Sequence, residues 1–114
     1  MKLPNGNNAV VEIVKLRDYS LSPRHPHGRH KARIFSSLLG LQQGDSAKLR
    51  QILLEVAARS EVAAMGEQDD FGQRYVIDFI MSGPAKSATV RSTWIVRTGE
   101  DIPRLTSCYV LLRK

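Results

Sequence analysis

The spacing of apolar residues changes period halfway along the chain, and that change predicts most of the fold. From Ile13 to Leu21, residues Ile13, Leu16 and Tyr19 fall on one face of a helix that Pro23 and Pro26 bring to an end. Between Arg29 and Leu39, Ile34, Phe35, Leu38 and Leu39 form a second helical stripe, and Gly40 suits the left-handed position that closes a helix. A third helix is expected from an N-cap at Asp45 to about Arg59, burying Leu49, Ile52, Leu53 and Val56.

Further on the period drops to two. Gln73 to Met81 alternates Tyr75, Ile77, Phe79 and Met81 with Arg74, Val76, Asp78 and Ile80. Gly83-Pro84 breaks this run before Ala88 to Thr98, a stretch rich in Thr, Val, Ile and Trp, so the two strands should form a hairpin. Gly99 to Pro103 supplies the next turn and Arg104 to Leu112 a third strand. Val62 to Met65 is a candidate fourth strand, joined by the acidic turn Gly66 to Gly72. Helices followed by strands predict an α+β fold, with N-terminal helices packed on one face of a three- to four-stranded antiparallel meander. The expected core joins Ile34, Phe35, Leu38, Leu49, Ile52, Leu53 and Val56 to Ile77, Phe79 and Trp94.

Composition narrows the class. With 114 residues, 42% hydrophobic and 25% charged, the chain fits a single domain spanning residues 1–114. Its apolar stretches fall short of the roughly 18 residues a membrane span needs, and Met1 to Asn8 lacks the apolar region of a secretory signal, so a cytoplasmic location is expected. One cysteine, Cys108, excludes an internal disulfide and leaves no thiolate cluster for zinc. The sequence contains no P-loop, GxGxxG, GxSxG or HExxH, and no cofactor is expected.

Charge then divides the molecule. The formal net charge is +6, and Lys15 to Arg50 carries eight Lys/Arg against Asp18 and Asp45, whereas Glu61 to Asp78 carries five acids against Arg74. A basic half favours RNA, DNA or an acidic protein partner, through steering and counterion release.

The chemistry concentrates in Ser22 to Arg33, which holds all three histidines, His25, His27 and His30, with Arg24, Arg29, Lys31 and Arg33. Imidazoles beside fixed cations are what cleavage of a phosphodiester needs, since like charge nearby disfavours the imidazolium. The alternative is a solvated basic loop that only caps a helix. Four crowding cations and the lack of a nearby cysteine argue against a metal at His25, His27 and His30. His27, Lys31 and Phe35 fall four apart, as do His30, Ile34 and Leu38, so the first turn of the second helix should lie at the rim of the helix–sheet interface. Helix N-terminal amides there add a partial positive charge suited to phosphate. In the Ala88–Thr98 strand, Thr89, Arg91, Thr93, Ile95 and Arg97 share one face and Val90, Ser92, Trp94 and Val96 the other. In the last strand Thr106 and Tyr109 point to opposite faces, and they can serve one site only if a bulge re-aims one of them. Strand propensity alone would also explain Thr106 and Tyr109, and solvation would explain Arg91.

Two segments carry a resemblance: Lys15-Leu-Arg-Asp-Tyr19 with Pro23, His25-Pro26, Gly28, Lys31-Ala32 and Phe35, and Trp94 to Gly99 with Pro103-Arg-Leu-Thr-Ser-Cys-Tyr109. Together they resemble an uncharacterised family of small bacterial proteins whose members also occur as C-terminal domains of polymorphic toxins. The order of helices and strands, ending in Thr-x-x-Tyr, is similar to the barnase, EndoU, colicin and RelE-like superfamily of metal-independent ribonucleases. That resemblance implies RNA cleavage by 2′-OH transesterification, with His25 or His30 as base or acid, Lys31 and Arg91 as phosphate clamps, and Thr106 and Tyr109 orienting phosphate or donating a proton. Arg24, Arg29, Arg33 and Arg97 would hold outlying nucleic acid, and a cognate antitoxin or immunity protein of acidic character would silence the enzyme. The chain departs from the barnase pattern in having Asp78 as the one carboxylate within an expected strand after Gln73. A non-catalytic antitoxin, immunity-type or nucleic-acid-binding module is the other reading.

Overall fold

The computed structural model describes residues 1–112. Strands β1 (Ala64–Asp69), β2 (Gly72–Ser82), β3 (Ser87–Arg97) and β4 (Pro103–Val110) form an antiparallel meander in the order β1-β2-β3-β4. Before it come α1 (Ile13–Lys15), which widens into a π-helical turn over Leu16–Ser20, then α2 (Arg29–Leu39) and α3 (Ser46–Arg59). The fold is α+β, with the helices on one face of the sheet.

Alternation decides which face is covered. Tyr75, Ile77 and Met81 of β2, Val90, Ser92 and Trp94 of β3, and Leu105, Cys108 and Val110 of β4 are buried against Phe35, Leu39, Leu49 and Leu53. The expected residues Ile34, Leu38, Ile52, Val56 and Phe79 pack around this centre and are partly buried. Trp94 is fully buried, and its indole N–H donates to Ser92 Oγ at 2.9 Å while Ser92 Oγ donates to the Ile77 carbonyl at 2.8 Å. Gly40 adopts φ 67° and closes α2 as its sequence suggests.

Four features differ from expectation. Leu21 N–H donates to the Leu16 carbonyl at 2.8 Å, an i→i+5 closure that buries Leu16 and Leu21 and leaves Ile13 exposed. The wider turn rotates the face a regular helix would have buried. Asp45 precedes α3, but its carboxylate accepts from the Gln42 amide at 2.9 Å rather than from the helix itself. Strand β1 begins at Ala64 and runs through most of the supposed acidic turn to Asp69, because a bulge between Met65 and Gln68 keeps it paired with β2. The N-terminal segment, unassigned from sequence, contributes Leu3 and Val11 to the core; Val10 bridges β4 at Arg104, and Ala63 N–H donates to the Met1 carbonyl at 2.9 Å. Among the described residues, no helix is long and apolar enough to cross a membrane.

Candidate functional site: a lysine among hydroxyls at the edge of the sheet

The site forms where the basic segment meets β4, one of the sheet's two edge strands. Two proline-rich turns after the π-helical turn reverse the chain so that Gly28 lies against Tyr19, where a β-carbon would collide with the Tyr19 carbonyl. This close approach sets His25 edge-on to the Tyr19 ring, with centroids 4.6 Å apart. Phe35 anchors α2 in the core, and Lys31, one turn earlier, reaches across the edge of β4. Lys31 Nζ lies 5.3 Å from the Tyr19 ring centroid, 4.9 Å from that of Tyr109 and 3.4 Å from Ser107 Oγ. None of the salt bridges among the described residues involves Lys31. An ammonium held by two aromatic faces and a long contact to a hydroxyl keeps donors free for an anion.

The open face of the sheet continues the site. Arg91 and Tyr109 stand directly opposite each other on β3 and β4, and Thr93 stands opposite Ser107. Asp78, opposite Arg91 on β2, receives its guanidinium in a bidentate pair at 2.8 and 2.9 Å. Hydrogen bonding and charge from Asp78 raise the Arg91 pKa further, with smaller help from Tyr109 against a small burial effect. Pairing then jumps from Thr93–Ser107 to Trp94–Leu105, so Thr106 is the extra residue of a bulge. Re-aimed in this way, Thr106 Oγ1 meets Thr93 Oγ1 at 2.6 Å, while Thr93 Oγ1 also donates to the Ser107 carbonyl at 3.3 Å. Lys31, Tyr109, Arg91 and Thr106 are thereby brought into one neighbourhood.

The histidines divide. His25 Nδ1 accepts the backbone N–H groups of His27 and Gly28, both at 3.0 Å, and its carbonyl accepts from Arg29 N–H at 3.0 Å. The ring thus caps the turn leading into α2, and with Nδ1 occupied as an acceptor its proton sits on Nε2. His30 is exposed and its ring makes no hydrogen bond among the described residues, so both ring nitrogens are open. His27 is exposed with its centroid 5.9 Å from that of His25, and no three His, Cys, Asp or Glu among the described residues gather to hold a metal ion.

The outlying cations do not converge on this site. Arg24 is exposed in the proline loop. Arg29 and Arg33 are exposed two residues either side of Lys31, on the opposite side of α2. Arg97 lies six residues beyond Arg91, roughly 20 Å along β3 at 3.3 Å per residue. Cys108 is buried beneath the site; burial pushes its thiol up to about 11, against opposing effects of Ser20 and Lys31, so it is inert as a nucleophile at neutral pH.

Sequence reasoning passed over Asp78 as Arg91's partner, Thr93 and Ser107. The first was recoverable: strands closing on Gly83 to Lys86 place Ser82 opposite Ser87, and counting back pairs Asp78 with Arg91. So were Thr93 and Ser107, which share the faces of Arg91 and Tyr109 by alternation and pair in the same register; Thr106 alone depends on the bulge, which carries no local signal.

The same architecture occurs in a chain of a contact-dependent growth inhibition toxin–immunity protein complex from Klebsiella pneumoniae 342, with a TM-score of 0.71 and 16% sequence identity over 96% of this chain and 98% of that chain. At that identity the likeness is one of fold. No curated protein matches the chain. Residues 2–112 match the family described as domain of unknown function (DUF6883), and the chain belongs to that family.

Proposed function

We propose that this protein is a small metal-independent endoribonuclease, acting as the toxin of a bacterial toxin–antitoxin or polymorphic toxin system. The observation that carries the reading is the Lys31 ammonium: partly buried, in no salt bridge among the described residues, and 4.9 Å from the ring of Tyr109, whose cross-strand partner is Arg91. A scissile phosphate there has Lys31 and Arg91 for its non-bridging oxygens, where charge grows in the transition state. His30 takes the ribose 2′-OH proton, and the oxygen attacks phosphorus. As the bond from phosphorus to O5′ breaks, the Tyr109 hydroxyl protonates O5′, leaving a 2′,3′-cyclic phosphate and a 5′-hydroxyl. Thr106, through Thr93, positions the Ser107–Tyr109 segment; His25 positions Tyr19 and the start of α2. Arg24 and Arg97 contact phosphates beyond the scissile one. Similarity of fold to a chain of a growth-inhibition toxin–immunity complex supports the setting, including a cognate immunity or antitoxin partner.

Purified protein should cleave RNA without added metal and in EDTA, leaving cyclic-phosphate ends. Lys31→Ala, His30→Ala and Tyr109→Phe should each lower cleavage by ~10²–10⁴-fold with an unchanged melting temperature. An inactive wild-type protein, or full activity in Lys31→Ala, would overturn the reading. A second reading, an immunity- or antitoxin-type binding module, is favoured by the capping role of His25 Nδ1. In that case the protein binds a partner and rescues growth, and none of the three substitutions affects either.

A further inference from the structure

The opposite side of α2 carries a groove of about 630 Å³ that the proposed reaction does not use. Its floor is apolar, made by Leu21, Ala32 and Leu41, each at most 5% exposed. Arg29 and Arg33, one helical turn apart, stand over it, and Gln42 lines the facing wall. Neither arginine joins a salt bridge among the described residues. No Asp or Glu lines the groove, and Asp18 and Asp45, on elements beside it, are engaged by Arg17 and by the Gln42 amide.

We infer that this groove is the docking site for an acidic, leucine-bearing segment of a partner protein. Two unpaired guanidiniums one turn apart match carboxylates spaced along a peptide, and each takes a carboxylate in bidentate fashion. The apolar floor takes the aliphatic side chains between them, which a bare polyanion would leave empty. RNA is the poorer fit, because no aromatic residue lines the groove for bases to stack on. Arg29 and Arg33 sit roughly 160° around α2 from Lys31, at 100° per residue, so an occupant here leaves the lysine cluster uncovered. The inference stands whether or not that cluster cleaves RNA.

The test uses the full chain and a fluorescein-labelled peptide, Ac-DLEDLEDL, read by fluorescence polarisation in 50 mM salt. Arg29→Glu with Arg33→Glu should weaken binding at least tenfold, whereas the same charge change at exposed Lys2 and Lys86 should weaken it less than threefold. Replacing the peptide leucines by serine should also weaken it at least tenfold, and Lys31→Ala should leave it unchanged. Because Arg29 and Arg33 are exposed, the double variant should melt with the wild type. The inference fails if the peptide does not bind, if the two double variants weaken it equally, if the serine peptide binds as well, or if a 2′-O-methyl RNA decamer displaces the peptide from Arg29 and Arg33.

Discussion

Removing one buried hydroxyl tests whether β3 is held as the structure indicates. Ser92 is wholly buried and links two other groups, accepting from the Trp94 indole and donating to the Ile77 carbonyl. Ser92→Ala leaves little empty volume but strands the indole N–H in an apolar layer, which costs about 1–3 kcal/mol. Unfolding entropy of about 2.1 cal/mol/K per residue gives roughly 0.24 kcal/mol/K for 114 residues, so a cost of about 2 kcal/mol lowers Tm by about 8 °C. Thermal melts and urea titrations followed by far-UV circular dichroism should agree on the loss. In a Trp94→Phe background the same substitution strands no indole, and its cost should fall by ~1 kcal/mol or more, a coupling that a double-mutant cycle reads directly. A Tm within 2 °C of wild type, or an equal cost in both backgrounds, would refute the argument.

Gly28→Ala forces a β-carbon into the Tyr19 carbonyl and should cost about 1–3 kcal/mol, with cleavage falling as Tyr19 shifts from Lys31; Gly44→Ala, with nothing within 4 Å of the new carbon, is the silent control in the same melts. Cys108 should make the fold alkali-sensitive: an unfolded thiol ionises near ~8.5, whereas the folded one holds its proton to about 11. Its stabilisation is therefore complete below about pH 8.5 and lost as pH rises through 11, and Cys108→Ala should flatten that part of the stability curve in urea titrations. Binding to a non-cleavable RNA should weaken steeply with salt, and Lys31→Ala should reduce the slope of log affinity against log salt by about one phosphate contact, whereas an unchanged slope would remove Lys31 from the RNA interface.

What could be read from sequence follows from which forces act locally. The span of α2 and the alternation in β2 and β3 are written in apolar periodicity, and the inward face of Val90, Ser92 and Trp94 follows from counting by twos. Leu3 and Val11 were passed over because isolated apolar residues acquire meaning only when a distant strand offers them a surface. The π-helical turn has the same origin: burial of both Leu16 and Leu21 requires the wider closure, and local propensity does not encode it. The cluster of imidazoles and cations around His25 suits proton transfer, and no local signal assigns His25 Nδ1 to backbone amides, a task usually left to Ser, Thr, Asp or Asn. Thr106 and Tyr109 looked incompatible by alternation, and one bulged residue changes that.

The position of Lys31 also answers a structural problem. As an edge strand, β4 would expose unpaired backbone groups that invite another strand to pair. Near Leu105 the edge is closed by chain: Val10 exchanges hydrogen bonds with Pro103 and Leu105, and Lys15 Nζ donates to the Leu105 carbonyl at 3.1 Å. Beyond the bulge that backbone cover ends, and Lys31 takes over with a contact to the Ser107 hydroxyl rather than to the backbone. A lysine bonded to a carbonyl is committed to its strand, but one resting at 3.4 Å from a hydroxyl, between two rings, gives up little by turning to a phosphate. Lys15 and Lys31 guard the same edge, and the weaker attachment of Lys31 is what leaves it free to act on a ligand.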